Sequence, residues 1–221
     1  LVSSRADVCY DPGDVAAIKA LTLKEQERIN DRGGVSGRPI HLNFLDDARD
    51  DKKAIANVRE AISDAQTLAV VGLSNATRGK AVFEALGPEV LKSGVPFLSD
   101  ISVNSIFAAF PNVYTTRASQ DTDSVPVMAR FARQLNLART AFVGLKESVA
   151  SAGLGDGLKG ELGEEGLVAD IRLGVEADKL VPADLTAAVA TLSEKRPDLI
   201  FINIGGANSA ALIKELVAAG V

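Results

Sequence analysis

Three stretches of the chain carry residue types that could do chemistry. The first is Val70-Val71-Gly72-Leu73-Ser74-Asn75-Ala76-Thr77-Arg78-Gly79-Lys80-Ala81. A phosphate loop places four residues between its first glycine and Gly-Lys, then Ser or Thr for magnesium. Here six residues intervene, and Ala81 stands where the hydroxyl belongs. The stretch still ends a strand at Gly72 and sets Ser74, Asn75 and Thr77 where a helix begins. Helix-start N–H groups and the positive end of the dipole suit an anion or a carboxylate. They suit equally a helix capped by its own Ser74 or Asn75, and the local residues admit both readings.

The second stretch, Gly155-Asp156-Gly157-Leu158-Lys159-Gly160, spells G-x-G-x-x-G. A dinucleotide fingerprint needs those glycines directly after a strand, opening a helix that receives the pyrophosphate. The preceding strand ends near Leu145, ten positions earlier, so close helix packing explains the glycines better than a cofactor does. The third stretch holds the acid pairs Asp46-Asp47 and Asp50-Asp51, between a strand and a helix, where caps and turns want them. His41, the only histidine, falls on an alternating segment and reads as a solvated edge residue. One His, one Cys (Cys9) and no G-x-S-x-G leave no nucleophile–base pair and no metal-ligand spacing. Neither catalysis, a metal nor a cofactor is expected.

The elements that must position these groups alternate regularly. Apolar runs at Ile40–Leu45, Thr67–Val71, Val95–Leu98, Thr140–Leu145, Leu167–Leu173 and Leu199–Ile204 read as strands. Between them lie stretches of helical period, such as Ile55, Val58, Ile62 and Leu185, Val189, Leu192. Asp50 and Asp184 read as N-caps, and Gly33-Gly34 and Gly94 as helix C-terminal residues. Such alternation predicts parallel α/β sheets. Leu68-Ala69-Val70-Val71 has the continuous apolar character of a central strand, whereas Ile40–Phe44 alternates like an edge. The alternation falters only over 102–120, which predicts a short ordered crossing between an N-terminal lobe, 1–117, and a second lobe, 118–221.

With 221 residues the chain can bury a sizeable core. Its 24 basic and 29 acidic residues give a net charge of −5 without a basic block, so neither nucleic acid nor an anionic membrane is expected as a partner. No apolar run approaches a membrane span. A lone cysteine excludes an internal disulfide.

Several segments, taken in order, carry a family likeness. Ile29-Asn30-Asp31-Arg32-Gly33-Gly34-Val35-Ser36-Gly37-Arg38-Pro39-Ile40 is followed by Asp46-Asp47-Ala48-Arg49-Asp50. Further on come Val70-Val71-Gly72, Gly94-Val95-Pro96-Phe97-Leu98-Ser99, Tyr114–Arg117, Pro197-Asp198-Leu199-Ile200-Phe201 and Gly205-Gly206. Together they resemble the type I periplasmic solute-binding proteins of the branched-chain amino-acid branch.

The resemblance implies two Rossmann-like lobes that close on a small ligand at the carboxyl ends of their strands. It maps first-lobe contacts onto Ser74, Asn75, Ala76 and Thr77, onto Asp100, Ile101 and Ser102, and onto Tyr10. Second-lobe contacts map onto Ser148–Ala150, with Ser148 and Ala150 foremost, and onto Gly205–Asn208, with Gly206 and Asn208 foremost. Where the family often places aromatics, this chain has Val149-Ala150 and Ala207-Asn208, so a ligand other than leucine is expected. Arg78, Lys80 and Arg117 could favour an acid, although surface roles suit them better.

The family crosses between lobes three times. One crossing is expected here, with about the last third of the family pattern missing, as in a fragment or a shortened module. The implied function is non-catalytic extracytoplasmic (periplasmic) binding of an amino acid or related carboxylate, with closure about Thr116–Gln120. The partner is then an ABC permease, or a fused membrane signalling module of kinase or cyclase type. A homodimer is compatible with either. The competing class is a cytoplasmic nucleotide-dependent enzyme.

Overall fold

Why the expected first-lobe strand at Ile40–Leu45 is mostly not a strand can be read from helix α1, Pro12–Asp31. Asn30 brackets Ile40, its Nδ2 donating to the Ile40 carbonyl at 2.9 Å and its Oδ1 accepting the Ile40 amide at 2.7 Å. Gln26 Oε1 accepts the Leu42 amide at 2.6 Å. Side chains of a helix thus satisfy backbone groups that a neighbouring strand would otherwise pair. Only Leu45–Asp46 pairs as strand β2. The hinge into this segment is the turn after α1, where Gly33 and Gly34 have φ of 97° and 74°. A Cβ on Gly34 would run into the Arg38 carbonyl.

The computed structural model describes residues 2–3, 12–48, 50–101 and 103–221. The chain divides into two compact units, the first made of Leu1–Asp100 and Ala109–Thr116, the second of Ile101–Ala108 and Arg117–Val221. The chain passes from one of these units to the other at three places. The segment Ile101–Ala108 groups with the second unit.

In the first unit, β1 (Val2–Ser3), β2, β3 (Val70–Gly72), β4 (Phe97–Ser99) and β5 (Val113–Thr115) form a parallel sheet in the order β2-β1-β3-β4-β5. Strands β3 and β4 start later than their apolar runs suggest, and Leu68, taken for a central-strand residue, is 65% exposed. Helices α2 (Asp51–Ser63) and α3 (Ala76–Ser93) bury Ala54 and Val58 together with Val82, Phe83, Leu86 and Val90. The Phe83 ring meets Phe97 edge-on at 5.8 Å. Gly94 closes α3 in the left-handed conformation expected of it, φ 64°. Asp50 caps α2 by accepting the Lys53 amide at 2.9 Å, again as read from sequence.

The second unit contains α4 (Asn104–Phe107), a single π-helical turn at Gln120–Ser124, and α5 (Val125–Gln134). There follow β6 (Thr140–Leu145), α6 (Val149–Gly166), β7 (Leu167–Leu173), a hairpin of β8 (Val175–Glu176) and β9 (Lys179–Leu180), α7 (Pro182–Lys195), β10 (Leu199–Ile202) and α8 (Gly206–Ala218). Strands β10, β6 and β7 form a parallel sheet in that order. β6 lies in the middle, and its burial alternates by face. Ala141 and Val143 join Leu192 of α7 and Leu212 of α8 on one side. Phe142 joins Val125, Leu154 and Leu158 on the other.

The G-x-G-x-x-G run lies inside α6. A Cβ on Gly155 would strike the Arg172 guanidinium of β7, and one on Gly157 would sit 2.7 Å from Val125 of α5. These glycines let α6 approach its neighbours; they do not form a phosphate loop.

Candidate functional site

In the first sheet the strand order reverses between β1 and β3, and the loops at the carboxyl ends beside such a reversal are where open α/β sheets hold ligands. The loop leaving β3 turns through two left-handed residues, Gly72 (φ 121°) and Leu73 (φ 56°). Leu73 is buried, and its carbonyl accepts the Ser99 hydroxyl of β4 at 3.3 Å. That bond ties together the carboxyl ends of two adjacent strands and leaves Ser74 and Asp100 on neighbouring loops.

From there α3 starts. Asn75 is its N-cap, with Oδ1 accepting the Arg78 amide at 3.0 Å and its carbonyl accepting the Gly79 amide at 2.8 Å. The carboxamide oxygen of Asn75 is therefore engaged by its own helix. The half-buried Ser74 hydroxyl makes no hydrogen bond among the described residues, and Ala76 and Thr77 form the first turn beside it. Arg78 pairs with Asp51 at 3.2 Å and Lys80 with Glu84 at 3.7 Å, while Arg117 is exposed. The cations considered for an acid ligand are thus two with carboxylate partners and one at the surface.

Asp100 is half-buried, whereas the Ile101 side chain is fully enclosed. Tyr10 and Ser102, like Cys9, lie outside the described residues. The acid pairs serve as turn and cap groups. Asp46 accepts the Ala48 amide at 2.9 Å, and Asp47 is buried. His41 is exposed on an irregular segment rather than on a strand.

In the second sheet the order reverses between β6 and β10, and the expected contacts gather at those two carboxyl ends. Ser148 caps α6, accepting the Ser151 amide at 3.1 Å, and Ala150 sits half-buried in the first turn. Gly206 opens α8 with φ 40° and is exposed. Asn208 has a structural job, since Oδ1 accepts the Leu180 amide and Nδ2 donates to the Asp178 carbonyl, each at 3.2 Å. It fastens the β8–β9 hairpin to α8.

Two features here escape the sequence reading. Asn203 follows β10, and its Oδ1 accepts the buried Ser151 hydroxyl at 2.8 Å. It borders a recess of about 220 Å³ together with Gln120, Met128, Phe142 and Phe201. The two-residue spacing of Phe201 on β10 and Asn203 just past its end was the signal available in the sequence.

Asp184, expected to cap α7, does something else. Pro182 occupies the first helical position, so Val181 is the cap residue and contributes no side-chain bond. The Asp184 carboxylate instead accepts Lys146 Nζ and the Gly174 amide, both at 2.7 Å. The Lys146 hydrogen bond and then the Gly174 amide hold its carboxyl below the usual range. A depressed folded-state pKa stabilises above the unfolded value, and that stabilisation is lost as pH falls through the folded one. Asp184→Asn should therefore flatten the acid-side loss of stability seen in urea melts between about pH 2 and 5. An unchanged slope would show that the corner does not titrate with folding.

Among the described residues, no helix is long and apolar enough to cross a membrane, and no group of three or more His, Cys, Asp or Glu could hold a metal.

Parallel strands feeding helices, with hydroxyl-bearing loops at the strand reversals, define an open, doubly wound α/β fold. Residues 15–221 match the periplasmic binding protein family. The chain belongs to that family. No curated protein sequence matches it. The leucine-binding protein LivK from Thermotoga maritima MSB8 has the same fold at TM-score 0.72 and 19% identity, over 100% of this chain and 60% of that one. LivJ from Streptococcus pneumoniae, solved with isoleucine, gives 0.74 at 17% identity over 99% and 60%. A solute-binding protein of an ABC transporter from R. palustris, solved with 4-hydroxybenzoate, gives 0.71 at 17% over 100% and 59%. The likeness is one of fold, and the chain spans about 60% of the length of these structures.

Proposed function

We propose that this chain is a non-catalytic, extracytoplasmic receptor for a small carboxylate solute, an amino acid or a related organic acid, serving an ABC importer. The observation that carries this is the start of α3 at the strand reversal, where Ser74 has no partner among the described residues and stands beside the first-turn amides. A carboxylate there accepts backbone N–H and hydroxyl bonds and meets the positive end of the helix. The ligands in two of the similar structures, isoleucine and 4-hydroxybenzoate, have a carboxylate in common and differ elsewhere. That pattern suits a fixed anchor for the carboxylate and variable contacts for the remainder. Ser74, Ala76, Thr77 and Asp100 are the first-unit contacts of this reading. Ser148, Ala150 and Gly206 are those of the second.

Calorimetry with leucine, isoleucine and 4-hydroxybenzoate tests it. For whichever ligand binds, the double substitution Ser74→Ala with Thr77→Ala should weaken affinity about tenfold, the worth of one or two neutral hydrogen bonds. Unchanged affinity would place the site elsewhere. Thermal stabilisation by NAD or ATP, with none by any carboxylate, would overturn the receptor reading.

A further inference from the structure

We propose that the Asp121 carboxylate is a latch that holds the backbone of Ile101–Ala108 to the second unit and so fixes the loop that follows β4. The inference rests on the reading above, in which Asp100 at the start of that loop contributes to binding.

The segment Ile101–Ala108 has little means of ordering itself. Its single turn α4 begins after Val103, which supplies no side-chain cap. A lone turn of helix is too short to be stable alone. Its first two amides are satisfied from elsewhere in the second unit. Asp121 Oδ1 accepts the Asn104 amide at 2.8 Å, and Oδ2 accepts the Ser105 amide at 3.0 Å. Ser119 completes the arrangement, its hydroxyl donating to Asp121 Oδ1 and accepting the Asn104 amide at 2.9 Å.

Ser119 is itself pinned. Its amide donates to Asp123 Oδ2 at 2.7 Å, and its carbonyl accepts the Asp123 and Ser124 amides at 2.9 and 3.0 Å within the π-helical turn. Ile101, Val103 and Phe107 are buried. Apolar burial thus docks the segment, while a charged acceptor with three donors sets its orientation. Charge-assisted bonds of this kind are about twice as strong as neutral ones. Partial burial pushes the Asp121 carboxyl upward, but the Ser119 hydroxyl and the Ser105 and Asn104 amides outweigh it and keep the group ionised. Asp121 is a positioning residue, not a ligand contact.

Asp121→Ala and Asp121→Asn in the full chain test the latch by amide hydrogen exchange and by calorimetry with the same three carboxylates. In Asp121→Ala, exchange over 101–108 should rise about tenfold or more, while β6 and α6 keep their protection. Asp121→Asn retains one acceptor oxygen and should fall between that variant and the unaltered protein. Affinity for a bound carboxylate should drop in the same order. Exchange over 101–108 equal to that of the unaltered protein overturns the proposal. So does faster exchange with unchanged affinity, and so does loss of β6 protection in both variants. If the unaltered protein binds none of the three carboxylates, the receptor reading fails, and the exchange result alone decides whether the latch exists.

Discussion

Phe142→Ala is expected to lower the unfolding free energy of the second unit by about 3–5 kcal/mol. The ring is fully buried in the middle of β6, against Val125, Leu154, Leu158 and Leu167. Arg172 adds a cation–π contact, its guanidinium carbon 5.0 Å from the ring centre. The ring also lines the recess beside Asn203, so water can reach part of the vacated volume, which favours the lower end of the range. Urea denaturation followed by far-UV circular dichroism, with hydrogen exchange of β6 and α6 as the unit-specific probe, measures the loss. A change below about 1 kcal/mol would mean that this face of the sheet does not hold the unit together.

The opposite fault, too much volume, is expected from Gly144→Val. A Cβ at Gly144 would stand 2.7 Å from Ser151 Cβ, 2.8 Å from its Oγ and 2.9 Å from Phe142 Cε1. Ser151 is fully buried on α6 and cannot swing aside, so the helix itself must move. Its hydroxyl accepts the Leu145 amide at 3.1 Å and donates to Asn203, so the shift also breaks the bridge between the ends of β6 and β10. The expected cost is about 3 kcal/mol, at the upper end of ordinary overpacking. Gly160→Ala is the matched control. Nothing lies within 4 Å of a Cβ there, and replacing a helical glycine should be neutral or stabilise by about 0.5–1 kcal/mol. If both variants melt alike, close approach at Gly144 is not what limits the side chain.

The second sheet was more legible than the first, for physical reasons. Thr140–Leu145 and Leu167–Leu173 run as strands over the residues the pattern suggests. Each is one continuous strand whose apolar run begins and ends with its pairing. In the first sheet the runs at Thr67–Val71 and Val95–Leu98 include approach residues such as the exposed Leu68, while Gly72 and Ser99 pair although neither looks apolar. Asp184 misled because a capping residue type fell two positions inside a helix that proline had already started.

Within the candidate site, helix-start residues could be located from local pattern, as at Ser74 and Ser148. What each side chain is free to do could not. Asn75 and Asn208 look like ligand residues by type, yet the first caps α3 and the second fastens a hairpin 28 residues back in the chain. The partners of the α4 turn were equally hidden, because its first two amides bond a carboxylate 16 or 17 residues away.

The clamp of Asn30 and Gln26 on Ile40 and Leu42 has a consequence for how the chain tolerates change in length. Because α1 grips the chain on the far side of the Gly33–Pro39 turn, residues inserted within the turn can bulge outward without moving Leu45 against Val2. A residue inserted between Leu42 and Leu45 enjoys no such buffer. It would slip β2 by one position and invert which side chains face the interior. Natural variation in loop length in this corner should therefore collect ahead of Ile40 and stop there.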